Sequence, residues 1–372
     1  MADSQQVNFK EKHQRFPCPG CGGDLAFDPK ENCLVCPYCG RKEPIPESDA
    51  QIEERAFEDY LRPGSERLGR VAENAIEVSC TRCGATVTFT PPEVAGECPF
   101  CGSTIVAQPR AADPMVAPEA VLPFGITKRQ GQEAINRWLS SLWFAPNALK
   151  KLAYQQSVSG VYIPFWTYDA STRSAYTGER GEHYFDTEQY TERDAQGNAV
   201  TKTRQVQRTR WYSASGNVAR SFDDLLIPAT RSVSRPRLAS LEPWDLNQLH
   251  PYEPAFLSGF KAQRYQVELP EGFEEAKTIM AQVIEGDVRN DIGGDEQRIR
   301  SVNTSYYDIT FKHILLPVYI GAYRFNQKVY QVMINARTGE VQGDRPYSIV
   351  KITLLIIFLL IVIGTIAYLK SN

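Results

Sequence analysis

Four pairs of cysteines, each with two residues between its members, constrain this chain more than any other feature of its sequence. A shift of 62 positions superposes the first two pairs on the last two, and fourteen residues separate the pairs within each set. An internal repeat of this kind indicates a duplicated module. The paired cysteines are Cys18/Cys21, Cys36/Cys39, Cys80/Cys83 and Cys98/Cys101.

This spacing is typical of structural zinc sites. Zn²⁺ binds four thiolates in a tetrahedron, and two residues between paired cysteines let one tight turn direct both sulfurs at the same ion. Glycine follows the second cysteine of every pair and permits the positive φ that such a turn uses. Modules of about 30 residues bury too little core to fold alone, so metal binding supplies folding energy on the order of 10–16 kcal/mol.

We therefore expect two zinc ribbons with one structural Zn²⁺ each. Protein thiolates fill all four ligand positions, so neither site leaves an open position for a substrate. An iron site of the rubredoxin type uses similar turns but is disfavoured, since its two turns normally lie further apart. The ninth cysteine, Cys33, has Ala95 at its repeat-equivalent position and is interpreted as a small packed residue. A spare ligand and a redox-sensitive thiol are the alternatives for Cys33.

The net charge of the chain and the distribution of its cysteines limit the classes of function that it can have. The formal net charge is −3 and the isoelectric point is near 6.0, and neither module carries the basic patch that phosphate binding requires. All nine cysteines fall in the first 101 residues, after a polar segment that does not resemble a signal peptide. This favours metal-bound thiolates in a reducing cytoplasm over a secreted disulfide scaffold.

The other end of the chain is strongly apolar. Eighteen residues from Ile352 to Leu369 carry no charge, and as a helix they span about 27 Å, close to the hydrocarbon thickness of a bilayer. Lys351 precedes the segment, and Tyr368 and Lys370 mark its far end. We expect a single-pass tail anchor at 349–369 in the cell inner membrane, with the N-terminal bulk in the cytoplasm. A buried helix of a soluble protein is disfavoured because every face is apolar.

The large middle region has a mixed pattern that predicts an α+β domain with mainly antiparallel sheet. Thr127 and Gln130 form the sequence signature of a capping box, and Asn335 to Gly339 is interpreted as a hairpin turn. Two apolar stripes predict helices, and their residues are Ile135, Trp138, Leu139, Leu142 and Trp143 for the first and Phe273, Ala276, Ile279, Met280 and Val283 for the second.

The chain is thus expected to be multidomain, with the two ribbons, the α+β domain and the transmembrane helix in series. The predicted divisions are a polar tail (1–16), zinc ribbon 1 (17–47), a charged linker with a short helix (48–76), zinc ribbon 2 (77–108), a Pro/Ala linker (109–120), the α+β domain (121–347) and the transmembrane anchor (349–369).

A charged hairpin within the middle domain has two interpretations. Acidic residues at 182, 186 and 188 share one face of a strand, and basic residues between Lys202 and Arg210 share a face of the next. Cross-strand ion pairing is favoured over a basic strip that binds anionic lipid or nucleic acid.

No enzyme is expected. The chain lacks a P-loop, a G-x-S-x-G nucleophile turn and an H-E-x-x-H zinc motif, and no catalytic residue is assigned. Glu179, Glu182 and His183 are the one combination considered for a hydrolytic metal site. A solvated charged cluster is the favoured interpretation of these three residues.

Several segments together resemble a bacterial family of membrane-anchored tandem zinc-ribbon proteins. They are CPGCG…CPYCG, CTRCG…CPFCG, VYIPFWTYDA, LLPVYIGAYRF, INARTGEVQG and the terminal apolar helix. Such proteins are often labelled as primosomal protein N′ or replication factor Y helicase-like, on the ribbons alone. The helicase activity does not carry over, because this chain has no P-loop. The resemblance implies a role beside SPFH-domain or phage-shock-type proteins at the inner membrane.

The sequence therefore predicts a tail-anchored adaptor that recruits protein partners to the membrane, in a membrane-stress response if the resemblance holds. The alternative is a membrane-tethered nucleic-acid-binding protein without helicase activity, which uses the first ribbon and the basic strip at 202–210.

Overall fold

The computed structural model describes residues 16–46, 51–61, 76–80, 86–89, 95–100, 104–106, 116–146, 158–193, 198–325 and 328–371. It confirms a multidomain α+β architecture with mainly antiparallel sheets and one apolar helix at the C-terminal end. The first cysteine module, which we define as residues 17–47, contains a three-stranded antiparallel sheet in the order β1-β2-β3. Its strands are β1 (Ala26–Asp28), β2 (Cys33–Val35) and β3 (Lys42–Glu43).

The second cysteine module, residues 77–108, repeats part of this register. Its neighbourhood contains two separate hairpins, β5 (Ile76–Ser79) with β6 (Thr86–Phe89) and β7 (Ala95–Glu97) with β8 (Thr104–Val106). Two of the three residue pairs that join β7 to β8 are the two pairs that join β2 to β3, each shifted by 62 positions. The duplication seen in the cysteine spacing therefore extends to the backbone pairing.

A nine-stranded sheet forms the centre of the molecule, with β11-β10-β14-β15-β16 as its continuous order. Short strands β4, β9, β12 and β13 pair at its sides, and the only parallel pairs within the described part of the chain are β10 with β13 and β14 with β9. The strands are β4 (Arg55–Ala56), β9 (Ala120–Val121), β10 (Ser159–Arg193), β11 (Ala199–Pro228), β12 (His250–Pro251), β13 (Lys261–Ala262), β14 (Glu296–Phe325), β15 (Lys328–Asn335) and β16 (Val341–Gly343).

Five α-helices are described. They are α1 (Phe57–Leu61), α2 (Lys128–Ser141), α3 (Arg235–Ala239), α4 (Leu269–Ile292) and α5 (Ile349–Ser371), and short 3-10 turns cover Leu246–Gln248 and Pro254–Leu257.

The three longest strands bend at one shared level. Strand β11 has an extra residue opposite Asp169 of β10, and β14 has an extra residue opposite Ala170, and each of these two bulges contains an aspartate with positive φ, Asp224 in β11 and Asp308 in β14. Aspartate tolerates this conformation better than most residues with a Cβ atom. The bulges separate a fully buried segment of β10 from one that alternates between buried and exposed.

Helix α4 covers one face of the alternating segment. Its buried residues recur every three or four positions, and they include Phe273, Ala276 and Met280 from the predicted stripe and Ile284, Val288 and Ile292 beyond it. The prediction was wrong for Ile279 and Val283, which are 39% and 38% exposed. A helix packed by one side on a sheet buries only a narrow stripe, and these two side chains lie outside it.

Helix α2 begins as expected. Thr127 and Gln130 form the complete capping box, and Ile135, Leu139 and Leu142 are buried. Trp143, which the stripe placed in the core, is 80% exposed. The helix ends at Ser141 and Leu142 is extended, so Trp143 no longer follows the helical period.

The cysteine modules and the segment between them pack against the central sheet. In the predicted linker, β4 pairs with β14 and Phe57 is buried beside Tyr168 and Phe273. In the first module, the N–H of Phe27 donates to the carbonyl of Ser258 at 3.0 Å. The expected short helix is present as α1, and the segment that carries it belongs to the sheet's core.

The C-terminal helix is long and apolar enough to cross a membrane. Residues Ile349–Lys370 have a mean hydropathy of 2.9 over their most apolar window, and none of that window is buried within the protein. A soluble core helix of this composition would be surrounded by protein.

Candidate metal centre

The four cysteines of the first module converge on one point. The Sγ atoms of Cys18 and Cys39 lie 3.5 Å apart, as do those of Cys21 and Cys36, and all four lie within 4.8 Å of one another. A tetrahedron with Zn–S bonds near 2.3 Å has S–S edges of about 3.8 Å. The cluster is therefore positioned to hold one metal ion.

Two equivalent backbone turns bring the sulfurs together. The N–H of Gly22 donates to the carbonyl of Cys18 at 2.8 Å, and the N–H of Gly40 donates to the carbonyl of Cys36 at 2.9 Å. Both glycines have φ of +74°, in the left-handed region that a Cβ atom disfavours. In the first module, the glycine after the second cysteine of each pair thus has the conformational role that the sequence predicted.

The donor chemistry fits a cation. The backbone N–H of Cys39 lowers the pKa of the Cys36 thiol to about 6. At Cys21 the N–H of Gly23 also lowers the pKa, but the nearby sulfurs of Cys36 and Cys39 outweigh it and raise the pKa to about 12. One sulfur thus ionises readily while another resists ionisation beside it, so four thiolates need a positive charge between them.

The module has one face packed on the protein and one face in solvent. Cys18 and Cys36 are buried with Phe27, whose ring lies 5.5 Å from that of Phe256 in the central domain. Cys21 and Cys39 are exposed, and Tyr38 between the second pair is 79% exposed. The metal-binding turns therefore face outward.

Two of the three basic residues of this module are paired with acidic ones. Arg41 lies 2.7 Å from Glu43, and Lys42 lies 2.8 Å from Glu31. The carboxylates offset the cations that a phosphate backbone would contact, in agreement with the neutral surface expected for this module.

Half of the second cluster lies within the described residues. Cys80 and Cys98 are buried, as are their repeat equivalents Cys18 and Cys36. Cys83 and Cys101 lie outside the described residues, so the convergence of these four sulfurs stays a prediction.

Cys33 lies apart from the four-sulfur cluster of its module. It begins β2, opposite Asp28, and is half-buried. Burial raises the pKa of its thiol. This placement agrees with a packed residue.

The residues considered for a hydrolytic metal site do not form a metal-binding group within the described part of the chain. Glu179 is paired with Arg300, and Glu182 is paired with Arg180. The Nε2 atom of His183 lies 2.7 Å from the Oε1 atom of Glu296. Because successive side chains of a strand point to opposite faces, His183 and Glu182 lie on different faces of β10. The favoured interpretation, a solvated charged cluster, agrees with this arrangement.

The basic strip at 202–210 is paired largely as the favoured interpretation predicted. Lys202 contacts Glu192 at 2.8 Å and Arg204 contacts Glu188 at 2.8 Å. Further along, Arg208 lies 3.3 Å from Asp186 and Arg210 stacks over the ring of Tyr184. Such exposed pairs contribute little stability each, but they reduce the free positive charge of the strip.

Sequence reasoning missed a second group of acidic residues at the bulge, which comprises Glu54, Asp169 and Asp223. Burial raises the pKa of Asp169 to about 6. The amine of Lys312, a residue only 7% exposed, binds Glu54 at 3.1 Å and Asp224 at 2.7 Å, so Lys312 is the buried centre of an ion-pair network whose acidic partners are partly exposed. Its members are up to 258 residues apart, and no local pattern marks them.

No family model matches the chain, and no solved structure matches it. The chain is 25% identical over 335 residues to the uncharacterized protein YdjG of Bacillus subtilis strain 168, and the match covers 90% of each chain. The similarity thus covers most of the chain, and no activity is described for YdjG.

Proposed function

We propose that this protein is an adaptor anchored in the inner membrane by α5, which presents two zinc-held cysteine modules to protein partners in the cytoplasm. The observation that carries the proposal is the two-sided first module. Its inner face packs on the central domain, while the turns that hold the ion face solvent around Tyr38. A rigid, exposed aromatic on a metal-fixed turn is the kind of residue that dominates protein interfaces.

The chemistry of both ends supports a cytoplasmic orientation. Zinc thiolates persist where thiols are kept reduced, and Arg345 and Lys351 flank the near side of the apolar helix. The metal has a structural role, because four protein thiolates leave no position for a substrate or an activated water.

Capture from detergent-solubilised membranes tests the adaptor role. Tyr38→Ala is expected to lose the proteins that the wild-type chain captures, with unchanged zinc content and melting temperature, because it removes an exposed side chain only. Phe185→Ala is the matched control, since Phe185 is 69% exposed on the β10–β11 hairpin. Equal capture by Tyr38→Ala and wild type would contradict a recognition surface on the first module.

A nucleic-acid-binding role makes a different prediction. Binding through cations weakens steeply between low and moderate salt. We expect no such binding, because two of the three basic residues of the first module and most of those on the strip have acidic partners. Salt-sensitive DNA binding that is lost in an Arg204→Glu, Arg208→Glu, Arg210→Glu triple variant would replace the adaptor proposal.

A further inference from the structure

The start of α5 is fastened to the turn that follows α2. The amine of Lys351 donates to the carbonyls of Trp143 at 3.0 Å and Ala145 at 2.8 Å. The N–H of Ser348 donates to the carbonyl of Phe144 at 2.7 Å. Three hydrogen bonds therefore hold residues 143–145 at the level of the first turn of the apolar helix.

Within this turn, neighbouring side chains differ sharply in exposure. Leu142 and Ala145 are buried in the core beside α2, whereas Trp143 is 80% exposed. Indole is large and mostly apolar, with one N–H donor, and it favours the boundary between lipid and water. Its exposure to water alone would leave most of that apolar surface hydrated.

The residues before and at the start of α5 have the same interfacial character. Tyr347 is 57% exposed, and the guanidinium of Arg345 lies 5.5 Å from the centre of its ring. Ile349 and Val350 are 80% and 68% exposed. Aromatic rings, cations and apolar residues together are typical of the zone where a transmembrane helix leaves the bilayer.

We propose that Trp143 and Tyr347 lie in the headgroup layer of the membrane that α5 crosses, so that the 142–145 turn rests on the bilayer surface. This inference rests on the membrane anchoring in the proposed function. The eighteen uncharged residues after Lys351 fill about 27 Å of hydrocarbon, which places the Lys351 amine at the headgroups. The backbone carbonyl of Trp143 accepts a hydrogen bond from that amine, so residue 143 lies at the same depth in the membrane as the amine.

The positive charge of the residues around the start of α5 indicates which lipid headgroups they contact. Arg345 and Lys351 bring two cations to the same level, while the nearby Asp344 is paired with Arg237 at 2.6 Å. Anionic headgroups therefore complement the surface. Three hydrogen bonds and a seated indole would fix the tilt of the central domain relative to the bilayer, and with it the direction in which the cysteine modules face.

Tryptophan fluorescence of the full chain in vesicles of phosphatidylcholine and phosphatidylglycerol tests this placement. The difference between wild type and Trp143→Phe isolates the emission of Trp143. The Trp143 emission should be blue-shifted relative to that of an indole in water. Lipids with a nitroxide near the glycerol should quench it at least twofold more than lipids with a nitroxide near the bilayer centre. Trp211→Phe is the matched control, because Trp211 stacks 3.7 Å from the guanidinium of Arg298 on the central sheet, and its removal should leave the lipid-dependent quenching unchanged.

Flotation of the same vesicles separates this inference from the anchoring on which it rests. If the protein floats at high salt but neither nitroxide lipid quenches Trp143, the anchor holds and the seated turn is wrong. Equal or stronger quenching from the bilayer centre would also overturn the headgroup placement. If the protein does not float, the membrane anchoring fails, and this inference fails with it.

Discussion

At the scale of single residues, two glycines with the same φ shape the metal-binding turns. Gly22 and Gly40 have open space where a side chain would be, and a Cβ atom at either would meet no atom within 4 Å. Steric clash with neighbours therefore has no part in the choice of glycine at these sites. The positive φ alone requires it.

Replacing Gly40 isolates that conformational cost. Gly40→Ala should cost about 1–2 kcal/mol of module stability, which corresponds to zinc binding about 5- to 30-fold weaker in a chelator competition. Gly286→Ala is the matched control, because Gly286 lies within α4, has equally open surroundings and has no positive φ. Alanine there should raise the stability of the protein by about 0.5–1 kcal/mol. Unchanged zinc affinity in Gly40→Ala would contradict the role given to φ.

Asp169 gives the bulge a pH dependence. Its folded pKa, about 6, lies above the ordinary value of 3.8, so the folded state holds a proton between these pH values that the unfolded state has lost. Stability contributed by this group is therefore present at low pH and falls as the pH rises from about 4 to about 6, by up to about 3 kcal/mol.

Asp169→Asn should remove this slope. Relative to wild type, the variant should have a larger free energy of unfolding in urea at pH 6.5 than at pH 4.5, because only wild type loses stability over this range. Since both proteins carry the same metal sites, acid effects on zinc cancel in the comparison. A difference that is the same at both pH values would show that Asp169 does not titrate in this range.

At the scale of elements, the position of α4 depends on a narrow apolar stripe against β10, β11 and β14. Met280 is fully buried, while its neighbour Ile279 is 39% exposed. The two adjacent residues have similar apolar bulk, but one is buried and the other is exposed. Substituting each in turn therefore distinguishes the contribution of packing from that of helix propensity.

Met280→Ala should lower the free energy of unfolding by about 2–5 kcal/mol through lost burial and a residual cavity. Ile279→Ala should change it by less than about 1 kcal/mol. Urea unfolding with an unchanged slope against denaturant measures both. Equal losses in the two variants would mean that the helix packs on a different face.

How much of each element the sequence could predict depends on whether its cause is local. The capping box at Thr127, the turn at Asn335 to Gly339 and the first cysteine cluster follow from neighbouring residues, and the structure contains all three. The exposure of Trp143 depends on where α2 ends, which apolar periodicity alone does not fix. The bulge network around Lys312 joins residues from segments far apart in the chain, so only the assembled sheet reveals it.

At the scale of the whole molecule, the cysteine modules and the central sheet share cores, while α5 stands apart. Phe27 packs with the central domain, and Cys80 and Cys98 belong to the apolar core that contains Trp244. By contrast, no residue in the most apolar window of α5 is buried. The helix is long and apolar enough to cross a membrane, and its most apolar window adds nothing to the protein core.

A chain truncated after Ser348 should therefore fold without the membrane. We expect it in the soluble fraction, with the same zinc content per chain and a melting temperature within a few degrees of that of the full chain in detergent, since the most apolar window of α5 is not buried in the protein and the Lys351 bonds to Trp143 and Ala145 are exposed or partly buried. Aggregation of the truncated chain, or its continued sedimentation with membranes, would show that α5 has a structural role.

The claim on which this account depends is that one chain holds zinc and spans the membrane. Elemental analysis of the full chain, recovered from membranes after alkaline carbonate extraction, tests both parts together. The account predicts two zinc ions per chain in the membrane pellet. A chain released into the supernatant, or a pelleted chain without zinc, would contradict it.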